Sequence, residues 1–237
     1  MPRRLLAEFI GTFAICYCGV GAIALTSSGL LNGGLLGIAF GHGFAVMGMI
    51  YALGAISGAH FNPAVTMAFF LTKRFALPDA MLYVLAQLAG SAAATALLSL
   101  THASSLAQVG FGATLLATGV SPLAGFAIEI VLTFFLALVI FRVAVIEQNP
   151  LAGVLIGLTV MMGISAAGPL TGVALNPARA FGPALFLGDW RNHWVMWLGP
   201  IIGAALGAIA ADALQPKPLE IETVATELPN PRQDVNV

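Results

Sequence analysis

The sequence predicts an all-α membrane protein with six transmembrane helices and two re-entrant half-helices, arranged as an inverted repeat. Three observations carry this. Of the 237 residues, 59% are hydrophobic and only 8% are charged. Mean hydropathy is +0.97, whereas a soluble domain carries about 25% charged residues, so this chain cannot cover a water-facing surface. A tripeptide occurs twice inside apolar sequence, Asn62-Pro63-Ala64 and Asn176-Pro177-Ala178. The two halves also echo each other around it.

The first apolar run, 5–26, follows Met1-Pro2-Arg3-Arg4. It outruns the ~7–15 residues of a signal-peptide core, lacks a clear cleavage site and contains Glu8, so it is read as a transmembrane helix. Cys16 and Cys18 lie two apart in it. Such positions do not share a helix face, so no disulfide is expected, and both are read as buried thiols packing as small hydrophobes. The run 35–56 is the second span. At Asn62 a helix starts: the side-chain oxygen can accept an orphan N–H of the first turn, and Pro63 has no N–H to leave unpaired. The piece 62–72 is too short to cross ~30 Å of hydrocarbon and is read as a half-helix dipping in from one side. Runs 80–100, 123–146 and 151–169 are the third, fourth and fifth spans. Asn176 and Pro177 repeat the start signal, 176–187 is the second half-helix, and 193–214 is the sixth span. The stretch 215–237 is polar and Pro-containing, with Glu220, Glu222, Glu227 and Asp234; it is expected to be a disordered cytoplasmic tail. One domain is thus expected over 1–214, with repeat one at about 1–100 and repeat two at about 123–214.

Basic residues orient the chain. Arg3, Arg4, Lys73, Arg74, Arg142, Lys217 and Arg232 fall on one side, Arg191 on the other, and Arg179 inside the membrane. Both termini are then cytoplasmic. Ala7-Glu8-Phe9-Ile10-Gly11-Thr12-Phe13 echoes Ile128-Glu129-Ile130-Val131-Leu132-Thr133-Phe134, and Gly58–Ala64 echoes Gly172–Ala178. Each half holds three spans, so the second half enters inverted and the half-helices meet near the midplane, as broken helices do in inverted-repeat transporters. The glycines from Gly37 to Gly41 and from Gly203 to Gly207 are expected to give close-packing faces.

The strings Ser57-Gly-Ala-His-Phe-Asn-Pro-Ala-Val-Thr66 and Asn176-Pro-Ala-Arg-Ala-Phe-Gly-Pro-Ala184 resemble the two signature loops of the aquaporin (major intrinsic protein) family. His193-Trp194-Val195-Met196-Trp197-Leu198-Gly199-Pro200 resembles the start of that family's sixth helix. The match covers nearly the whole chain except the tail, and a paired signature is far more specific than one Asn-Pro-Ala. The resemblance implies an hourglass pore, a homotetramer in which each subunit carries its own pore, an Asn-Pro-Ala constriction at the centre and a narrower aromatic/arginine filter toward the outer mouth. A compact chain with short loops and a short N-terminus points to a prokaryotic-type member in a bacterial inner membrane.

In the constriction, Asn62, Pro63, Ala64 and Asn176, Pro177, Ala178 carry the expectation. Each Asn oxygen would cap its own half-helix, leaving the NH₂ groups aimed into the pore as donors to a passing oxygen. Converging positive helix ends repel cations; exclusion by an Arg and half-helix dipoles is the general aquaporin arrangement. Residues 58–61 and 172–175 are expected to be extended, their carbonyls forming an acceptor ladder along an apolar wall. Arg179 opposes the dipole of its half-helix and places a charge in the membrane, a costly position that marks function; by resemblance it is the filter arginine. His42 lies 20 residues before Asn62, at the family's second-helix filter position. A buried histidine unrelated to the pore is the alternative, and matching Ala39-Phe40-Gly41 to that helix's common Ala-Phe-Gly would shift the register by two. Ile164 and Val173 fall at the fifth-helix and loop positions.

The inferred filter is therefore His42, Ile164, Val173 and Arg179. Ile164 replaces the His usual in strict water channels and is expected to widen the pore. The set resembles the plant vacuolar (tonoplast) subgroup, some members of which pass ammonia or urea. Ala180 and Ala184 stand where glycerol facilitators carry Asp and a basic residue, and Trp197 fits the water-channel pattern. Val173 stands where mercury-sensitive members carry Cys.

Glu8 and Glu129 are lone intramembrane acids, functional candidates by default. A proton relay is one reading. The other is structural: each accepts hydrogen bonds from the backbone of a re-entrant loop, as their matched positions favour, with His60 joining the network. His102 and His193 are read as ordinary loop residues.

The function implied is passive conduction of water, with leakage of small neutral solutes such as glycerol, urea or ammonia, and exclusion of protons and ions. An aquaglyceroporin-type facilitator of neutral solutes or metalloid acids is the alternative, and a secondary transporter a more remote one, since no ion-coupling carboxylate sits near either Asn-Pro-Ala. An enzyme is not expected: the four histidines are scattered and make no zinc-binding helix face. No metal or cofactor is expected. The expected partners are water, neutral solutes, membrane lipid and further copies of the chain, with no basic run for nucleic acid.

Overall fold

The computed structural model describes residues 1–215; from 216 on, the expected tail lies outside the described residues. The elements are α1 (Pro2–Ser27), α2 (Gly34–Ser57), α3 (Pro63–Leu71), α4 (Leu77–Thr101), α5 (Ala103–Gln108), α6 (Pro122–Val139) continued by a π-helical segment (Ile140–Ile146), α7 (Ala152–Thr171), α8 (Pro177–Leu187) and α9 (Val195–Ala213). Among the described residues, six helices are long and apolar enough to cross a membrane, and none of those residues forms a strand. The half-helices α3 and α8 stop short, as expected.

Local chemistry explains the boundaries. The Asn62 side chain accepts from Ala64 N at 2.8 Å, and Asn176 from Ala178 N at 2.9 Å and Arg179 N at 3.3 Å. Proline follows each cap, where its missing N–H is harmless. Helices α2 and α7 end at left-handed Gly58 (φ 87°) and Gly172 (φ 73°), a conformation that a Cβ would strain. Each of these glycines gives its N–H to the carbonyl four residues back, at 2.8 and 2.9 Å.

The repeat is visible in the packing. A Cβ at Gly90 of α4 would lie 2.4 Å from Phe9 O of α1, and one at Gly203 of α9 would lie 2.3 Å from Ile130 O of α6. The same backbone-on-backbone approach is thus made once per half. Helices α2 and α7 join the halves at Gly43 and Gly157, whose added Cβ atoms would lie 2.8 and 2.7 Å from each other's carbonyl oxygens. The expected face at Gly203–Gly207 is present, with Gly207 against Phe134 O at 2.3 Å. Its counterpart is looser: Gly41 would meet Ala22 on α1 at 2.7 Å, while Gly37 would meet Leu31 of the preceding turn at 3.4 Å and Thr26 Oγ1 of α1 at 3.9 Å.

One expectation, the burial of Cys18, needs correction, and two further features were not anticipated. The connection 101–121 folds into α5 and a 3₁₀ turn, Gly110–Gly112, and the turn packs on the second half-helix. Helix α6 leaves α-geometry at Ile140, a kind of bulge that often marks functional segments. Cys18 is not buried; it is exposed on the outer surface of the bundle, and only Cys16 is enclosed.

Three pairs of charges are joined among the described residues: Arg74–Asp212, Arg142–Glu147 and Arg191–Asp189. Arg74 forks onto Asp212 at 2.7 and 2.9 Å, tying the α3–α4 turn to α9. Arg4 lies over Phe75 and Tyr83. On the opposite side, Arg191 bonds Asp189 at 2.6 Å, and this guanidinium holds the Asp189 carboxyl down at about 2. The Arg191 cation is therefore paired within its own loop.

Candidate functional site

A cavity of about 390 Å³ runs through the interior between the two half-helices. Its lining includes His42, Ile164, Val173 and Arg179 toward one end, Asn62 and Asn176 in the middle, and His60, Phe69 and Val145 toward the other.

The middle is built by a crossed pair of bonds. Asn62 Nδ2 donates to Leu175 O at 2.8 Å, and Asn176 Nδ2 donates to Phe61 O at 2.8 Å. Each amide spends its oxygen on its own helix and one N–H on the other repeat, leaving one N–H for the cavity. The loops that supply the accepting carbonyls are not extended, which corrects the expectation for 58–61 and 172–175. Ala59, Phe61, Val173 and Leu175 all have left-handed φ (51°, 48°, 42° and 52°). Alternating the backbone hand turns successive N–H groups outward to the supporting helices, which an extended strand could not do. Such strain persists only where the surroundings over-determine it.

Glu8 and Glu129 supply that constraint. Glu8 accepts from Ser57 Oγ (2.7 Å), His60 N (3.0 Å), Phe61 N (2.6 Å) and Gln87 Nε2 (2.7 Å). Glu129 accepts from Thr171 Oγ1 (2.7 Å), Ala174 N (3.0 Å) and Leu175 N (3.0 Å). Both are fully buried, and the backbone N–H groups can only donate, so the carboxylates hold the loops as acceptors. The symmetry is imperfect: Thr12 donates to Phe61 O at 3.2 Å, whereas buried Thr133 Oγ1 has no partner among the described residues. His60 joins through its backbone, and its ring stacks on Phe69 with centroids 4.3 Å apart.

Arg179 is 3% exposed. Its Nη1 donates to Gly112 O at 2.8 Å and its Nε to His42 Nε2 at 3.4 Å, so two of its five N–H groups are used and three are left toward the cavity. Among the described residues no carboxylate pairs with it, so its charge faces the lumen uncompensated by an ion pair. His42, 4% exposed, lines the cavity. The alternative register meets Phe40 and Phe44, which are 43% and 56% exposed and stack on each other at 5.2 Å on the outer surface. Ile164 and Val173 are buried neighbours in one apolar cluster.

Two contributors were not anticipated. Gln87, the single glutamine in apolar α4, also donates to Thr66 at 3.0 Å; a lone amide in a span was its signal. Gly112 supplies the carbonyl that holds Arg179, and nothing in its local sequence points there.

Neither cysteine lines the cavity. Mercuric ion is therefore expected to leave the osmotic water rate unchanged, while Val173→Cys should create a block reversed by thiols. Block of the parent chain that persists after Cys16→Ser and Cys18→Ser would contradict this.

Comparison with known proteins agrees with the geometry. The family described as Major intrinsic protein matches residues 1–210. Aquaporin NIP1-1 of Zea mays is 40% identical over 230 residues, covering 94% of this chain and 79% of its own. Aquaporin TIP4-4 of Zea mays is 39% identical over 221 residues, covering 90% and 86%. Among solved structures, the aquaglyceroporin from Plasmodium falciparum superposes with a TM-score of 0.82 at 27% identity, over 90% of this chain and 96% of that one.

Proposed function

Because the chain belongs to the major intrinsic protein family, and so is a multi-pass membrane channel for water and small neutral solutes rather than an enzyme, we propose that water is its main cargo and that His42, Ile164, Val173 and Arg179 set its selectivity. The observation that carries this reading is the single cavity that has both Asn amides at its middle and Arg179 bridged to His42 at one end. Water passing Asn62 and Asn176 meets two fixed donors, so its oxygen is oriented and proton hopping along the file is interrupted. Arg179 and the two half-helix N-termini place positive charge on the path and repel cations. The crossed bonds tie the two repeats together at the midplane, which favours a channel over a transporter that rocks one repeat against the other.

A second reading is conduction of glycerol-sized solutes or metalloid acids. It rests on Ile164, an apolar wall where a polar one would narrow the filter, and on the structural likeness to an aquaglyceroporin. Stopped-flow light scattering on liposomes holding the purified protein separates the two. Fast water-driven shrinkage with slow influx of glycerol, urea and ammonia is the expected result. Fast influx of one solute would name it as cargo, and no flux above empty liposomes would overturn both readings.

The domain reading is a channel unit over 1–214 followed by a cytoplasmic tail at 215–237. The assembly reading is a homotetramer with one pore per subunit, supported by a cavity enclosed within one chain. The placement is the plasma (cell inner) membrane of a prokaryotic-type protein with both termini cytoplasmic. It rests on the short loops and on Arg3, Arg4, Lys73, Arg74 and Arg142 lying on one side.

A further inference from the structure

The His42 ring is held at both nitrogens. Nδ1 lies 3.0 Å from Ile38 O, so it donates there; Nε2 is left as the acceptor, and Arg179 Nε–H fills it at 3.4 Å. The ring edge that carries Nε2 lies against α1, over Gly19. A Cβ built on Gly19 would fall 2.3 Å from both Cδ2 and Nε2 of His42 and 2.6 Å from Cε1, far inside the contact distance of about 3.5 Å. These three ring atoms are its nearest neighbours. Gly19 has no left-handed φ, so its backbone does not need glycine. Glycine in mid-helix is disfavoured relative to alanine; the space it leaves is what the structure uses.

We infer that Gly19 is a specificity-determining position: its missing side chain forms the notch in which the imidazole stands back from the lumen while keeping Nε2 on Arg179. The inference rests on the reading of His42 as a filter residue. Any side chain at 19 evicts the ring edge. His42 must then turn toward Ile164 and Val173 across the cavity, give up Arg179 Nε and narrow the passage. Gly19 does not itself line the cavity, so the filter's width depends on a residue outside it.

The second repeat supports this. Gly19 stands eleven residues past Glu8, and the residue eleven past Glu129 is Ile140. His42 stands sixteen before Gly58, and the residue sixteen before Gly172 is Ile156. Ile140 and Ile156 both line the cavity. The notch is therefore present in one half only, beside the charged residue.

The test is a cycle of four proteins in liposomes: wild type, Gly19→Ala, His42→Ala and the double variant, each assayed for water and urea flux. Gly19→Ala should slow urea by about tenfold, the rate equivalent of about 1.4 kcal/mol and within the cost of an overpacked methyl group, and should slow the smaller water molecule less. His42→Ala should speed urea, and the double variant should match His42→Ala, because the clash has lost its partner. Wild-type rates in Gly19→Ala overturn the inference and leave the filter reading standing. Equally slow flux in Gly19→Ala and the double variant also overturns it, since the effect then does not pass through His42. Unchanged urea flux in His42→Ala overturns the filter reading, and the inference falls with it. Should Gly19→Ala fail to fold, the same cycle is read in thermal unfolding: recovery in the double variant supports the inference, and no recovery overturns it.

Discussion

Replacing Glu129 with glutamine is expected to remove a large share of the channel's folding stability. The carboxylate accepts from Thr171, Ala174 N and Leu175 N, and glutamine puts an NH₂ group against at least one of these donors. An unsatisfied buried donor costs about 1–3 kcal/mol, and the surviving bonds lose the charge that made them roughly twice as strong. A total of about 4 kcal/mol is expected, a large share of the roughly 5–15 kcal/mol by which proteins are stable. At about 2–4 °C per kcal/mol for this chain length, the midpoint should fall by about 10 °C. Glu8→Gln should act in the same direction. Thermal unfolding of detergent-purified protein reads the result. A wild-type midpoint with a changed proton flux would instead revive the relay reading of these two acids.

Arg179→Val should leave water conduction intact and weaken exclusion. A cation at about 4 Å from the guanidinium is opposed by about 4 kcal/mol at an effective dielectric of about 20. Loss of that term, at about 1.4 kcal/mol per tenfold, raises cation leak by about three orders of magnitude, from a small base because the Asn62 and Asn176 region still resists. Glycerol influx should rise as well, since the guanidinium bulk is gone. Arg179→Lys separates the effects: the charge stays, so cations remain excluded, but the planar fork held between Gly112 and His42 is lost, so neutral solutes should pass faster. Proteoliposomes loaded with a pH-sensitive dye, together with glycerol swelling, measure both. Wild-type leak and wild-type glycerol influx in Arg179→Val would remove Arg179 from the filter.

The spans and half-helices were legible because each rests on local signals. Apolar length gave the six spans, and an Asn cap followed by Pro gave both half-helix starts. The paired acids were legible because the same residue recurs at matched places in two repeats. The loop conformation was not legible. The left-handed backbone at Ala59, Phe61, Val173 and Leu175 is imposed by carboxylates about fifty residues away in sequence, and no propensity of these residues asks for it. The seat of Arg179 was equally hidden, since a main-chain carbonyl such as that of Gly112 leaves no mark in the side-chain pattern. Exposure of Cys18 follows from which face of α1 turns outward, and a helix apolar on every side does not declare that face.

The crossed amide bonds also impose an order in time. Asn62 waits for a carbonyl 113 positions further along, and Phe61 for an amide 115 positions on. While the chain is being made, the first half must sit in the bilayer with its half-helix tip unlatched until the second half arrives upside down to close it. The centre of the channel is thus the last part to become itself, and an interrupted synthesis leaves a membrane-inserted fragment without a bore.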